Sequence, residues 1–115
     1  MTQDIWNHRP GSGHRPDAAP VGYRVEATDG PLGTVDRHSD EVDAAHLVVD
    51  TGPWILGREV LLPAGVVRSV DHAARTVHVG LTRDGVRNAP AYVRAEHTGD
   101  RGFFEQLAGY YGPMI

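Results

Sequence analysis

Residues 48–65 read VVDTGPWILGREVLLPAG, and the fold turns on whether they form a catalytic loop or a pair of strands. The valines close an apolar strand over Ala45–Thr51, with Leu47 and Val49 on one face and His46, Val48 and Asp50 on the other. Glu59–Pro63 reads as the next strand. Ala64-Gly65 then marks a sharp corner or bulge before a further strand over Val66–Asp71.

Working outward, the same short rhythm continues on both sides. Tyr23, Val25 and Ala27 alternate with Arg24 and Glu26, the period of a half-buried strand. Asp29-Gly30-Pro31 is a turn signal, and a strand over Gly33–His38 follows. Ser39–Ala44 is an acidic connection. Asp71–Arg75 turns the chain into a strand over Thr76–Leu81, with Val77, Val79 and Leu81 inward and His78 outward. Thr82 is a good N-cap for one helical turn through Asn88, which Pro90 stops. Phe103–Leu107 predicts a short C-terminal helix, limited by Gly109 and Gly112. Six short strands with glycine corners and no long helical period give an all-β fold class: a small barrel or sandwich.

The tripeptide Asp50-Thr51-Gly52 also opens the active-site loop of aspartic proteases, and retroviral-type enzymes pair two such loops across a dimer. That loop places a small residue after the glycine, so that two carboxylates face each other, share one proton and activate a water. Here Pro53 follows, with a fixed φ and no N–H, and then Trp54, too bulky for a crowded dyad. The segment ILGREVLL at 55–62 imitates the second signature of those enzymes but comes at once, leaving no room for a flap hairpin. The simpler reading is a strand end, with Asp50 and Thr51 hydrogen-bonding locally and Gly52-Pro53 starting a turn. A protease half built on Asp50-Thr51-Gly52 is the alternative function.

Composition bounds the rest. The chain has 115 residues, 40% of them hydrophobic and 23% charged, enough for one domain with one modest core. It has no cysteine, which excludes disulfides and thiolate metal sites. All 11 basic residues are arginine, and the formal net charge is −4, which counts against direct nucleic-acid contact. No apolar run approaches the ~20 residues that span a bilayer, and MTQDIWNHRPGSGHRP lacks the regions of a signal peptide. A cytoplasmic location without membrane insertion is expected. Residues 1–20, rich in Pro and Gly, read as a flexible arm in which Ile5 and Trp6 have the means to dock. Residues 21–95 are the barrel, and 96–115 a tail.

Read as one block, Gly22 to Tyr92 resembles a PRC-barrel domain, the module named for the photosynthetic reaction centre H subunit. The matching pieces are YRVEATDGPLGTVD (23–36), HLVVDTG (46–52), REVLLPAGVVRSVD (58–71), RTVHVGLT (75–82) and VRNAPAY (86–92). DIW at 4–6 and GYYG at 109–112 resemble the ends of short stand-alone actinobacterial members. The likeness implies a small, highly curved antiparallel β-barrel with short helical turns at its C-terminal side. It also implies protein contact rather than chemistry, in an adaptor or assembly role. A ribosome- or RNA-associated adaptor is a weaker implication, drawn from the related domain of the ribosome maturation factor. One departure is Gly85, where the family more often carries Glu or Gln; without it the capping box is lost and the turn is expected to be looser.

No catalytic, cofactor-binding or metal site is expected. His38 and His46 flank the acidic SDEVDAA, but the spacing of zinc ligands and the glycine of a calcium loop are absent. His72 and His78 have no triad partner, and Ser12, Ser39 and Ser69 lie in no nucleophile elbow. The candidate interface is Trp54, Ile55 and Leu56, three apolar residues in a turn where polar ones belong. They are read as a patch for an unidentified protein, as a plug over the barrel's own end, or as the contact of a homodimer. The C-terminal cluster of Phe103, Phe104, Leu107, Tyr110 and Tyr111 serves the same end in this reading.

Overall fold

The computed structural model describes residues 5, 6, 8, 11, 12, 20–39, 45–52, 59–90, 92 and 101–114. Six strands run in chain order: β1 Arg24–Ala27, β2 Gly30–Ser39, β3 His46–Asp50, β4 Glu59–Pro63, β5 Val67–Asp71 and β6 Thr76–Val79. Among the described residues two α-helices follow, α1 at Arg83–Arg87 and α2 at Arg101–Tyr111. The strands form one sheet in the order β4-β3-β2-β1-β6-β5.

The corner at Ala64–Val66 explains why this sheet is strongly curved. It is a single 3-10 turn, and it joins β4 at one edge of the sheet to β5 at the other. Four Cα steps from Pro63 to Val67 reach at most ~14 Å. The two edges must therefore lie close together, which a flat six-stranded sheet, with strands spaced ~4.8 Å apart, does not allow. The sheet curls into a small barrel-like body.

That corner also makes the sheet mixed instead of wholly antiparallel, a correction to the sequence expectation. The chain crosses from edge to edge without reversing, so the β5–β6 hairpin returns β6 alongside β1 in the same direction. Arg24, Val25 and Glu26 pair in parallel with Thr76, Val77 and His78. All other neighbouring strands are antiparallel.

Side-chain alternation sorts the sheet into two faces. Val25, Val35, Leu47, Val49, Val60, Leu62, Val67, Val77 and Val79 line the inside and are buried. One row of directly opposed partners crosses the outer face of every strand: Glu59, Asp50, Thr34, Arg24, Thr76 and Asp71. Its polarity marks it as the solvent side. The outer face is not polar throughout, however. Val48 and Leu61 face each other on it, yet are only 2% and 1% exposed.

What covers that outer face is the C-terminal segment. Phe103, Leu107 and Tyr111, spaced four apart, form the buried stripe of α2. Phe104 meets the outer-face residue His46 edge-on, with ring centroids 5.3 Å apart. Tyr92 accepts a hydrogen bond from Arg37 at 3.2 Å and packs against Phe103. The helix runs past Gly109, longer than its glycines suggest, because burial of Tyr111 beyond it outweighs the ~1 kcal/mol that a helical glycine costs. Thr82 caps α1 as expected, its hydroxyl accepting the Gly85 N–H at 3.0 Å.

Candidate functional site

The DTG tripeptide sits where β3 ends. The Asp50 carboxylate accepts the N–H of Gly52 at 2.9 Å, and Gly52 has a φ of 64°, the left-handed conformation that glycine adopts without strain. This is an Asx turn: the carboxylate is occupied in shaping its own loop. Thr51 is buried beside it. Across the strand pair, Asp50 stands directly opposite Glu59. Two carboxylates on adjacent strands of a solvent-facing surface repel weakly. Trp54, Ile55 and Leu56 lie outside the described residues, but their anchors do not. The connection leaves from Gly52 and returns at Glu59, on the hairpin that forms one edge of the sheet.

The C-terminal aromatics divide. Phe103 and Tyr111 are 4% and 0% exposed, buried in the chain's own core, and have no surface left to offer a partner. Their helix had read as a surface cluster because its buried face becomes visible only once a second layer over β3 and β4 is known. Phe104 and Tyr110 are half-buried. Phe104 stacks on Trp6 at a centroid distance of 4.8 Å and an interplanar angle of 15°. Tyr110 donates its hydroxyl to the Gly85 carbonyl at 2.7 Å. The helical turn at Gly85, expected to be loose for want of a capping box, is thus held at both its N–H and its carbonyl.

The arm contributes more than its composition suggests. Ile5 is 3% exposed, and its carbonyl accepts the Gly65 N–H at 2.7 Å. The Trp6 carbonyl accepts Ala45 N–H at 2.8 Å, and the Ser12 carbonyl accepts Val70 N–H at 2.7 Å. The signal in the sequence was two adjacent apolar residues in an otherwise polar stretch. What the sequence could not give was their groove.

The histidines do not converge. His38 opposes Leu47 on the inner face while His46 opposes Ser39 on the outer, so the strand pair separates the two imidazoles. Among the described residues no three His, Asp or Glu side chains are grouped to hold a metal ion. His72 pairs with a phenol: Tyr23 Oη lies 3.0 Å from its Nδ1. Beside this pair a small cavity opens into the barrel, walled by Leu47, Val67, Val70 and Val77 and rimmed by His8, Pro20 and His72. Its free space of about 10 Å³ is the size of one water. No described helix is long and apolar enough to cross a membrane.

No family model matches the chain. No curated protein matches it either. Among solved structures it is similar to the 16S ribosomal RNA processing protein RimM of Pseudomonas aeruginosa, at 27% identity and a TM-score of 0.48. The match covers 66% of this chain and 50% of that one, so the chain spans half of that protein's length.

Proposed function

We propose that this chain is a non-enzymatic interaction or assembly module of the PRC-barrel type, self-associating as a homodimer and contacting a protein partner through Trp54, Ile55 and Leu56. The observation that carries the reading is the position of their loop. It runs between Gly52 and Glu59, and both of these ends belong to the hairpin that forms one edge of the sheet. The other apolar groups reinforce the point. Among the described residues only Val21 and Met114 are large exposed hydrophobics, and Phe103 and Tyr111 are used internally. Exposed apolar surface is therefore scarce among the described residues, and the Trp54-Ile55-Leu56 run is our candidate for it, since tryptophan is the residue type enriched at binding hot spots.

The test is light scattering on a sizing column for the wild type and Trp54→Ser, with circular dichroism as a folding check. A wild-type dimer that becomes a folded monomer in the variant supports the loop as the self-association surface. An unfolded variant makes Trp54 core and overturns the reading. A wild-type monomer removes the homodimer and leaves the protein partner, to be sought by comparing wild-type and Trp54→Ser pull-downs. Retention of a 16S rRNA fragment by the wild type, falling with added salt, replaces protein contact with an RNA-associated role.

A further inference from the structure

The geometry points to the N-terminal arm as an exchangeable ligand, which docks in the same groove on a second copy of this chain. The groove is a built site. The Gly65 and Ala45 N–H groups take the carbonyls of Ile5 and Trp6, and Phe104 provides a flat shelf for the indole. Gly65 is shaped to the arm: a β-carbon there would lie 2.7 Å from the Ile5 Cα. Further along, Val70 on β5 donates to the Ser12 carbonyl, so the arm laps the edge strand opposite β4.

Two features argue that the occupant is a second copy's arm. The first is the tether. Ser12 bonds to Val70, and Pro20 lines the same cavity as Val70, so both ends of residues 13–19 come back to one place on β5. Eight Cα steps reach ~27 Å when extended, against principal extents of 35 × 35 × 25 Å for the whole protein. That reach is far more than a return to one place on β5 needs, and it matches the protein's own shortest extent, the scale on which a second copy's groove would lie. The second is what an empty groove entails. Lifting the arm takes the acceptors from Ala45 and Val70 and uncovers buried Ala45, Gly65 and Ile5. Exchange avoids that penalty, because each groove receives an identical arm and every contact is re-made. The exchanged contact is made by Ile5, Trp6 and Ser12 and does not depend on a contact by Trp54.

The chain contains no cysteine, which makes a covalent trap clean. The double variant Trp6→Cys/Phe104→Cys, treated with a short bismaleimide, is expected to give covalent dimers on a denaturing gel, in a fraction that rises with protein concentration. Mixing the two single variants is expected to give a cross-linked heterodimer. Cross-linking confined to one chain at every concentration overturns the proposal. The second measurement needs no substitution: isotope-filtered NOE spectra of labelled and unlabelled wild type, mixed and co-refolded. Contacts between Trp6 of one chain and Phe104 of another support exchange, and their absence overturns it. Running the cross-link in Trp54→Ser separates this contact from the loop. Loss of the loop dimer with interchain cross-links intact leaves arm exchange standing.

Discussion

Gly33 on β2 packs so tightly under the end of β3 that a β-carbon on it would lie 2.9 Å from the carbonyl carbon of Asp50 and 2.9 Å from the Cα of Thr51. Its φ of 154° adds a backbone conformation that other residues resist. Gly52, two residues beyond Asp50, also has a positive φ, but a β-carbon there meets no atom of the described residues within 4 Å. The two glycines therefore separate clash from conformation. Gly52→Ala is expected to cost about 1 kcal/mol. Gly33→Ala, which adds a clash between rigid backbones, should cost about 3 kcal/mol or more. Urea unfolding of the two variants checks the order, and equal losses would refute the close-packing account.

Much of this sheet was legible because its strands alternate. The strand expected over Thr76–Leu81 forms at Thr76–Val79, Glu59–Pro63 emerges as read, and the Ala64-Gly65 corner is real. Other features depend on partners distant in sequence. Parallel pairing of β1 with β6 follows from the edge-to-edge crossing at the corner, which no local pattern encodes. Asp29-Gly30-Pro31 read as a turn, yet Gly30 and Pro31 already pair with Ala27 and Glu26, shortening the turn to Thr28-Asp29. Val48 alternates onto the face opposite Leu47, where Leu61 is its partner, and both are buried because α2 and Tyr92 form a second layer. Of the candidate surface, Phe103 and Tyr111 were misread for the same reason. The histidines at 38 and 46 are close in sequence, and only the register shows the two on opposite faces.

Gly85 is held by two side chains, its N–H by Thr82 and its carbonyl by Tyr110. Each bond fixes α1 from a different side, one within the helix and one from α2. Thr82→Ala should lose about 1 kcal/mol as a missing N-cap. Tyr110→Phe should lose about 1 kcal/mol by leaving a part-buried carbonyl without its donor. Because both act on one residue, the double variant is expected to depart from the sum of the two. Thermal melts of the four proteins decide, and strict additivity would mean that the bonds act independently.

Trp6 and Phe104 join the two ends of the chain by a stacked ring pair, with His46 beneath. A cycle of Trp6→Ala, Phe104→Ala and the double variant should give a coupling energy of about 1 kcal/mol, the usual worth of such a pair beyond its buried area. The single losses should be larger, because each also exposes apolar surface. A coupling near zero would mean that the two rings are neighbours without a shared contribution to stability.

Asp50 offers the sharpest contrast between structural and catalytic roles. Its Oδ1 accepts the Gly52 N–H, while the whole carboxylate faces Glu59 across the strand pair. Asp50→Asn keeps the acceptor and removes one of two like charges, so stability should stay level or rise by a few tenths of a kcal/mol. Asp50→Ala removes the acceptor as well and should cost about 0.5–1 kcal/mol. A catalytic aspartate behaves differently, since the amide is then as disabling as the alanine. Acid-pH peptidase assays beside urea melts resolve the matter. If wild type cleaves and both variants are inactive, the protease alternative replaces the interaction module; otherwise the ranking Asn, wild type, Ala in stability is the expected result.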